Sequence, residues 1–454
     1  MKKSNTVKAS FFEKDITPPA GTWLNGFGSR TSPSEGCDDP IMLRMLCLED
    51  TEGSRALFIT ADVLWFHNDM SFRIKHIAEK KYGIKSSAVI INASHTHCGP
   101  VLTQNPVYPH WPVNWQYTDF FECSILEGIT HTVSSLKPAV LKFGILQSHF
   151  GINRRLPLGD GKVSGSILPN EKGYYDPDLP VLAVYDNKTG DIEGLFYSYA
   201  CHPSEKGGQR FSANFPGAVS RSLKKTYGAN FCALFGQGAG GDIKPRFYNK
   251  EKNVFTPAKT DDVEDLGKKI AGEIAAGIHG GLCKEIQLEI SSCEKEFNIP
   301  YNLDMMYPLD TLYRLTCGDA DTVQVPEDKM IHSPGSSSMT RAWAKKIIED
   351  VRLNQVEKSC RHHLTRIKLN STAQIIGLTG EPVAELGRMI KNIFPDYATV
   401  FLGYCTSVPT YMPIARMLSE GGYESVRSCS EYLMPAPYSE DIDRIITEAV
   451  KACE

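Results

Sequence analysis

The sequence lacks the features that would assign it to a secreted, membrane-spanning or nucleic-acid-binding class. Its first residues, MKKSNTVKASFFEKD, contain two early lysines but no apolar run of signal-peptide length. The longest apolar stretch nearby, ALFITADVLWF, is interrupted by Asp62 and is too short to cross a bilayer. The net charge of −4 gives no general basic surface. We therefore expect a cytoplasmic protein with no transmembrane segment and no nucleic-acid partner.

The sequence also lacks a paired cysteine motif. Its 13 cysteines are odd in number and include no CxxC pair. Scattered cysteines of this kind are typical of reduced thiols that serve as small buried residues. The spacing argues against a zinc ribbon or a disulfide framework.

Strand-like and helix-like segments alternate over the first two-thirds of the chain. Buried strands are predicted at RALFITADVLWF and SAVIINASHTH, and helices over residues 67–83 and 260–281. The pattern continues after about residue 282 with a strand of exposed-face type and further helices. It favours an α/β fold with layers around a mixed sheet. We predict one large catalytic domain over residues 1–454 that can include a C-terminal subregion from about residue 283.

Two histidines, His95 and His97, follow a predicted buried strand in the segment SHTHCGP. Residues i and i+2 of a strand point to the same face, and ligands commonly gather at the carboxyl ends of strands in α/β sheets. The pair suits a metal ion, because imidazole is a favoured zinc ligand. Ordinary hydrogen bonding of both histidines is the alternative. His202, in YSYACHPS, occupies the same type of position after another strand.

Three further segments carry polar residues that could contribute chemistry, and each also has a structural explanation. FGQGAGGDIKPRF contains Asp242, which could orient a histidine, or it is only a tight turn. Glu381 precedes Pro382, which we expect in the first turn of a helix, so Glu381 is either a capping residue or a metal carboxylate. Arg154, in INRR, could polarise a substrate carbonyl, although surface arginines are common.

Taken in order, these segments resemble the neutral, non-lysosomal ceramidase family. The match begins at DITPPAGTWLNGFGSR and continues through SHTHCGP, INRR, CHPSEKGGQRFSANFPG, GAGGDIKP and TGEP. Six motifs in the same order are hard to obtain by chance, and they cover most of residues 10–430. The resemblance implies an α/β catalytic domain that binds one Zn²⁺ ion and hydrolyses an amide bond.

The resemblance also implies roles for individual residues. The implied zinc ligands are His95, His202, Glu381 and Tyr411. Tyr404 is a less favoured counterpart of the family's tyrosine ligand, since both tyrosines lie in GYCTSVPTY. His97 and Arg154 match family residues that act on the substrate, so they are expected to stabilise an oxyanion or to pass a proton to the leaving group. Asp242 is expected to support the metal ligands.

The sequence departs from the family at Lys244. The family usually has a serine at this position of the GDxSPN motif, beside the reacting amide, where this chain has GDIKPR. We expect Lys244 to replace the contact of that serine and to favour a negatively charged substrate. The secretion signal and the C-terminal immunoglobulin-like domain of many relatives do not appear in this sequence.

The sequence therefore predicts a zinc-dependent hydrolase of a small N-acyl or lipid-like molecule. Two alternatives remain open at this stage. The same zinc site could act on a different ester, sugar or acylated metabolite, by hydrolysis or elimination. The chain could also be a zinc-binding module without catalytic activity.

Overall fold

The computed structural model of the protein describes residues 6–103, 111–317, 323–326, 329–332 and 337–453. The strands in these ranges are β1 (Lys8–Asp15), β2 (Gly36–Cys37), β3 (Met42–Glu49), β4 (Arg55–Ala61), β5 (Val89–Ala93), β6 (Lys137–Gln147), β7 (Gly151–Asn153), β8 (Pro157–Gly159), β9 (Lys162–Val163), β10 (Asp178–Asp186), β11 (Ile192–Tyr199), β12 (Arg210–Phe211), β13 (Cys232–Gln237), β14 (Ile243–Pro245), β15 (Tyr248–Asn249), β16 (Val254–Phe255), β17 (Lys284–Glu285), β18 (Ser291–Pro300), β19 (Ser359–Lys368), β20 (Ala373–Leu378), β21 (Glu381–Pro382), β22 (Ala398–Leu402) and β23 (Tyr411–Met412). The α-helices are α1 (Asn68–Tyr82), α2 (Trp115–Ser134), α3 (Asn214–Tyr227), α4 (Thr260–His279), α5 (Leu309–Thr316), α6 (Ser337–Arg352), α7 (Ala384–Lys391), α8 (Ala415–Glu420) and α9 (Ile442–Lys451).

Two mixed sheets form the centre of the molecule. The larger has nine strands in the order β13-β11-β10-β6-β1-β3-β4-β5, with β17 paired to β6. The smaller has four strands in the order β18-β19-β20-β22. The pairs β4–β5, β11–β13 and β20–β22 are parallel. Parallel strands are usually buried on both faces, which explains the nearly continuous apolar runs in these segments.

Alternation along β3 shows how the layers stack. Leu43, Met45 and Cys47 pack with α1 and α2 on the outer face of the large sheet. Leu46 and Leu48, one residue out of phase, contact the small sheet. The helices α3 and α4 cover the rest of the large sheet, and α5, α6, α7 and α9 cover the outer face of the small sheet. The result is a helix–sheet–sheet–helix arrangement, which confirms the predicted α/β class with a mixed sheet.

The predicted elements are present, with local differences at their ends. The helix α1 ends at Gly83, whose φ of 68° is readily available to glycine. The helix α4 begins at Thr260, as predicted, with Lys259 as its N-cap residue. Pro382 is not in a helix, because Glu381–Pro382 pairs with Tyr411–Met412 as a short parallel ladder and α7 begins only at Ala384. The one-domain interpretation stays a prediction; the small sheet begins at Ser291.

Cysteine pairing differs from the expectation at one place. Cys293 in β18 and Cys453 after α9 form a disulfide across a sequence separation of 160 residues. The other 11 cysteines are free thiols, as expected. No helix in the described part of the chain combines the length and apolar character that a bilayer span requires.

Asn92 in β5 connects the two sheets at their centre. Its buried side chain donates a hydrogen bond to the carbonyl of Gly403 (2.7 Å) and accepts one from the backbone N–H of Gln237 (2.8 Å). Gly403 follows β22 of the small sheet, whereas Gln237 ends β13 of the large sheet. One amide therefore fixes the carboxyl ends of three strands beside each other.

We expect Asn92→Ala to destabilise the protein strongly, since it leaves a buried carbonyl and a buried N–H without partners. Each such loss costs about 1–3 kcal/mol, so the free energy of unfolding should fall by about 2–5 kcal/mol. Urea unfolding followed by circular dichroism measures this change. Asn187→Ala, in the exposed turn between β10 and β11, is the matched control and should change stability by less than about 0.5 kcal/mol. Equal stability of the two variants would contradict the role assigned to Asn92.

Candidate metal centre

The candidate ligands follow the carboxyl ends of strands in both sheets. His95 lies two residues after β5, His202 three residues after β11, and Glu381 three residues after β20. Packing of the two sheets brings these ends together, which is where ligands are commonly bound in α/β folds.

A left-handed turn, not strand alternation, directs His95 toward the centre. The strand β5 ends at Ala93, and His95 has a φ of +63°, which is uncommon for a residue other than glycine. Its Nδ1 donates a hydrogen bond to the carbonyl of Leu64 at 2.9 Å. The ring of His97 lies 5.1 Å from that of His95, between ring centroids. The two rings are close as predicted, but the predicted reason was wrong because the strand ends too early.

The glycine-rich turn after β13 holds His202. Nδ1 of His202 donates a hydrogen bond to the carbonyl of Gly240 at 2.5 Å. The next residue, Gly241, donates its N–H to the carbonyl of Pro382 at 2.8 Å. A Cβ at Gly241 would lie 2.7 Å from the carbonyl oxygen of Glu381, so only glycine permits this approach. The turn therefore brings the Glu381 segment against His202.

Glu381 is a buried carboxylate that faces both imidazoles. Its Oε2 lies 3.2 Å from Nε2 of His95 and 3.2 Å from Nε2 of His202. The hydroxyl of Tyr432 donates to Oε1, and that of Tyr404 lies 3.4 Å from Oε2. Burial alone would raise the pKa of Glu381, and positive charge at the two imidazole positions lowers it well below its usual range. The carboxylate is therefore ionised only when a positive charge lies beside it.

These contacts fit a metal ion. Since carbonyl groups only accept hydrogen bonds, Nδ1 carries the proton in both His95 and His202, and each Nε2 presents a lone pair. Two lone pairs and a carboxylate oxygen thus converge on one point, an arrangement that a cation stabilises. Burial lowers the pKa of His202 to about 3, so its ring is neutral near pH 7, as metal binding requires.

His97 completes a group of three histidines that could hold a metal. One ring nitrogen of each of His95, His97 and His202 lies within 4.8 Å of the others. Neither ring nitrogen of His97 has a hydrogen-bond partner among the described residues. Burial and the neighbouring His95 hold the pKa of His97 well below its usual range. His97 therefore lacks the carbonyl contact that orients the other two rings.

A tight N-terminal loop covers His97. The ring of Phe27 lies 4.8 Å from the His97 ring, between centroids. Gly26 has a φ of +101°, and a Cβ there would lie 2.6 Å from Cα of His97. The glycine of the LNGFG segment is thus required for the close approach of this loop to the centre.

Both candidate tyrosines lie beside the centre. Tyr404 packs its ring 4.4 Å from that of His95, between centroids. Tyr411 pairs with Glu381 in the β21–β23 ladder, and its ring is stacked at 6.5 Å from that of His202. The hydroxyl of Tyr411 accepts a hydrogen bond from Arg154 at 2.9 Å. The preference for Tyr411 as a ligand stays a prediction.

Arg154 is held in a buried ion-pair network. Its Nε donates to Oε1 of Glu424 at 2.7 Å, and Arg155 contacts the other oxygen of Glu424 at 3.0 Å. Burial alone would lower the pKa of Arg154, but Tyr411 and Glu424 hold it well above its usual range. Glu424 and Tyr432 were not predicted as site residues, because neither lies in a sequence motif that indicates a site.

Asp242 contacts the scaffold around the centre rather than a histidine. Its carboxylate accepts hydrogen bonds from Nδ2 of Asn153 (2.9 Å) and from the backbone N–H of Ala384 at the start of α7 (2.7 Å). Burial raises the pKa of Asp242 to about 6. Its backbone carbonyl accepts the N–H of Arg154 at 2.9 Å. These contacts fix the segments that carry Arg154 and Glu381.

A cavity of about 280 Å³ lies over the centre, and Lys244 does not line it. Its lining includes Trp65, His95, His97, Trp111, Glu381, Tyr411, Tyr423 and Tyr432. Lys244 instead lines a second cavity of about 350 Å³ and donates to Oγ of Ser204 at 2.9 Å. The structure therefore places Lys244 at the neighbouring cavity, and its contact with the reacting amide stays a prediction.

Comparison with known proteins supports the fold assignment. The sequence matches no protein-family model and no curated protein. The structure is similar to that of neutral ceramidase from Pseudomonas aeruginosa, with a TM-score of 0.71 and 15% sequence identity over 98% of this chain and 74% of that chain. A structure of ceramidase complexed with C2 gives the same TM-score, identity and coverage. The chain therefore has the fold of neutral ceramidase, which confirms at the level of structure the resemblance in its motifs.

Proposed function

We propose that the chain is a Zn²⁺-dependent hydrolase that cleaves an N-acyl (amide) bond in a small, ceramidase-type substrate. The observation that carries this proposal is the convergence of two Nε2 lone pairs and the Glu381 carboxylate on one point. The neutral ceramidase fold and the half-enclosed cavity over this point support it. Other esters, sugars and acylated metabolites are the alternative substrates, and the cytoplasmic location stays a prediction.

Zinc fits the proposed donor set of His95, His202 and Glu381. Two histidines and one glutamate are a known ligand set of catalytic zinc sites, which keep a position open for water or substrate. We propose Tyr411 as the fourth, weaker ligand, with Tyr404 as the less favoured choice. When bound, zinc lowers the pKa of a water molecule to about 7 and polarises a substrate carbonyl.

The neighbouring residues have separate roles in the proposed reaction. His97 faces the cavity as a neutral base with free ring nitrogens, so it can accept a proton and return it to the leaving amine. Arg154 is not among the described residues that line the cavity, so it stabilises negative charge on the carbonyl oxygen through the Tyr411 hydroxyl, to which it donates. Glu424 fixes the orientation of Arg154. Asp242 supports the site through the backbone of Arg154 and the start of α7.

The cavity suits a small amide with an apolar acyl part. Its volume of about 280 Å³ is close to the lower end of ligand pockets, which measure about 300–1,000 Å³. Trp65, Trp111 and Tyr432 give it aromatic walls, on which an acyl chain can pack. It encloses the reacting group and a short acyl segment, so a longer chain would extend beyond it.

Metal analysis tests the ligand set. We expect about one zinc ion per chain in the wild-type protein after zinc is added and excess is removed. His95→Ala, His202→Ala and Glu381→Ala should each lose most of it, as measured by elemental mass spectrometry. The control is His149→Ala, which removes an exposed histidine and should retain zinc. A wild-type protein that binds no zinc would end the proposal.

His97→Ala separates a catalytic role from a ligand role. If His97 transfers a proton, this variant keeps its zinc while kcat for a short-chain N-acyl substrate falls by at least about 100-fold. KM should change little, because the cavity walls remain. Steady-state kinetics on zinc-loaded protein, with zinc content measured in the same sample, provide the test. Loss of zinc in this variant would instead assign His97 to the metal.

The two tyrosines can be distinguished by zinc affinity. We expect Tyr411→Phe to weaken zinc binding about tenfold or more in a chelator competition assay, comparable with the loss of other groups around a metal. Tyr404→Phe should weaken it less, because only a 3.4 Å contact with Glu381 is removed. The reverse order would make Tyr404 the fourth ligand.

A further inference from the structure

A second cavity of about 350 Å³ lies directly beside the metal centre. The loop of residues 25–30 separates the two cavities, since Gly26 and Gly28 line the first and Phe27 and Ser29 line the second. Phe27, which packs against His97, is thus the wall between them. Three cationic side chains line the second cavity: Arg30, Lys206 and Lys244.

Arg30 is a buried guanidinium whose hydrogen-bond partners are all neutral. It is 4% exposed, and its N–H groups donate to the carbonyls of Gly208 and Asn25 and, weakly, to Sγ of Cys98. Its guanidinium carbon lies 4.9 Å from the centroid of the Phe27 ring. Four of its five N–H donors are used in these contacts, so one donor on Nη1 remains.

Lys244 also lacks an acidic partner. Its Nζ donates to Oγ of Ser204 (2.9 Å) and to the carbonyl of Ser204 (3.4 Å), which uses two of its three donors. Within the described residues, no carboxylate oxygen lies within 4.0 Å of the charged nitrogens of Lys244 or Arg30. Lys206 differs, because Asp38 lies 2.6 Å from its Nζ. Among the described residues, Lys244 and Arg30 are therefore the cations of this cavity that have no ion-pair partner.

Glu205, the one acid among the described residues that line the cavity, compensates them only in part. Glu205 accepts the N–H of Phe215 through Oε1, while its Oε2 is shielded from solvent and has no hydrogen-bond partner among the described residues. Burial raises the pKa of Glu205 to about 7. Oε1 of Gln209, also at this cavity, is likewise without a partner. Enclosed cations without a counter-charge are unfavourable, and an anion bound between them removes this cost.

We propose that the second cavity binds an anionic group of the substrate, a carboxylate, sulfate or phosphate, through Lys244 and Arg30. The free donor on each cation can contact one anion oxygen, and charge-assisted bonds of this kind are the strong ones. The anion would lie across Phe27 from His97, so the substrate passes the loop of residues 25–30 between its reacting amide and its anionic group. The assignment to a substrate rests on the proposed hydrolase function, whereas the binding of an anion does not.

Sulfate binding tests the cavity without any turnover. Isothermal titration with sodium sulfate uses the His95→Ala protein, so that the anion cannot bind to zinc. We expect millimolar binding that Lys244→Met weakens at least about tenfold and that Lys244→Arg restores, because charge-assisted hydrogen bonds are stronger than neutral ones. Lys188→Met, which removes an exposed lysine in a turn, is the control. Absence of binding, or binding that Lys244→Met does not change, would overturn the proposal.

A pair of substrates then identifies the source of the anion. N-Acyl-6-aminohexanoate and its terminal amide share the scissile bond and differ by one carboxylate, which the hexanoate chain can carry past the Phe27 ring. On the zinc-loaded protein, we expect a KM at least about tenfold lower for the carboxylate, and we expect Lys244→Met to abolish this preference. Equal KM values with sulfate binding intact would overturn the substrate assignment and indicate a site for a free anion. If neither amide is cleaved, the hydrolase function fails, while the sulfate titration still decides whether the cavity binds an anion.

Discussion

The structure depends on a buried carboxylate that faces two imidazole lone pairs. Glu381 cannot remain ionised at 1% exposure without a positive charge nearby, and neither histidine can supply a proton while neutral. The Nδ1 protons are directed away from Glu381, to the carbonyls of Leu64 and Gly240. The scaffold thus fixes which nitrogen of each ring faces the centre, which is the usual way in which a protein prepares histidines for a metal.

This geometry requires segments that are far apart in sequence to meet within a few ångströms. His95 and His202 follow strands of the large sheet, whereas Glu381 follows a strand of the small sheet, so the site forms only when the sheets pack face to face. Asn92 sets that packing at the central strand ends. The N–H of Gly241, which donates to the carbonyl of Pro382, fixes the packing of the two sheets a second time beside His202. The packing of the two sheets therefore determines the geometry of the candidate ligands.

Local sequence patterns predicted the secondary structure. Features that depend on contacts between distant segments could not be predicted from them. Apolar periodicity predicted the main strands and the first helix, because these depend on neighbouring residues. The motifs predicted His95, His202 and Glu381 as a group. No local pattern shows that His95 adopts a left-handed conformation, that Glu424 pairs with Arg154, or that Cys293 meets Cys453. Each of these follows from tertiary packing.

Lys244 contributes charge to the second cavity without disturbing the geometry of the candidate metal centre. In β14, Ile243 points into the core and its carbonyl accepts the N–H of His202 at 3.0 Å. Lys244, one residue later, points to the opposite side, where it lines the second cavity. Its backbone belongs to the β7–β14 ladder whatever side chain it carries. A substitution at residue 244 can therefore change the charge of the second cavity without moving His202, which Ile243 holds.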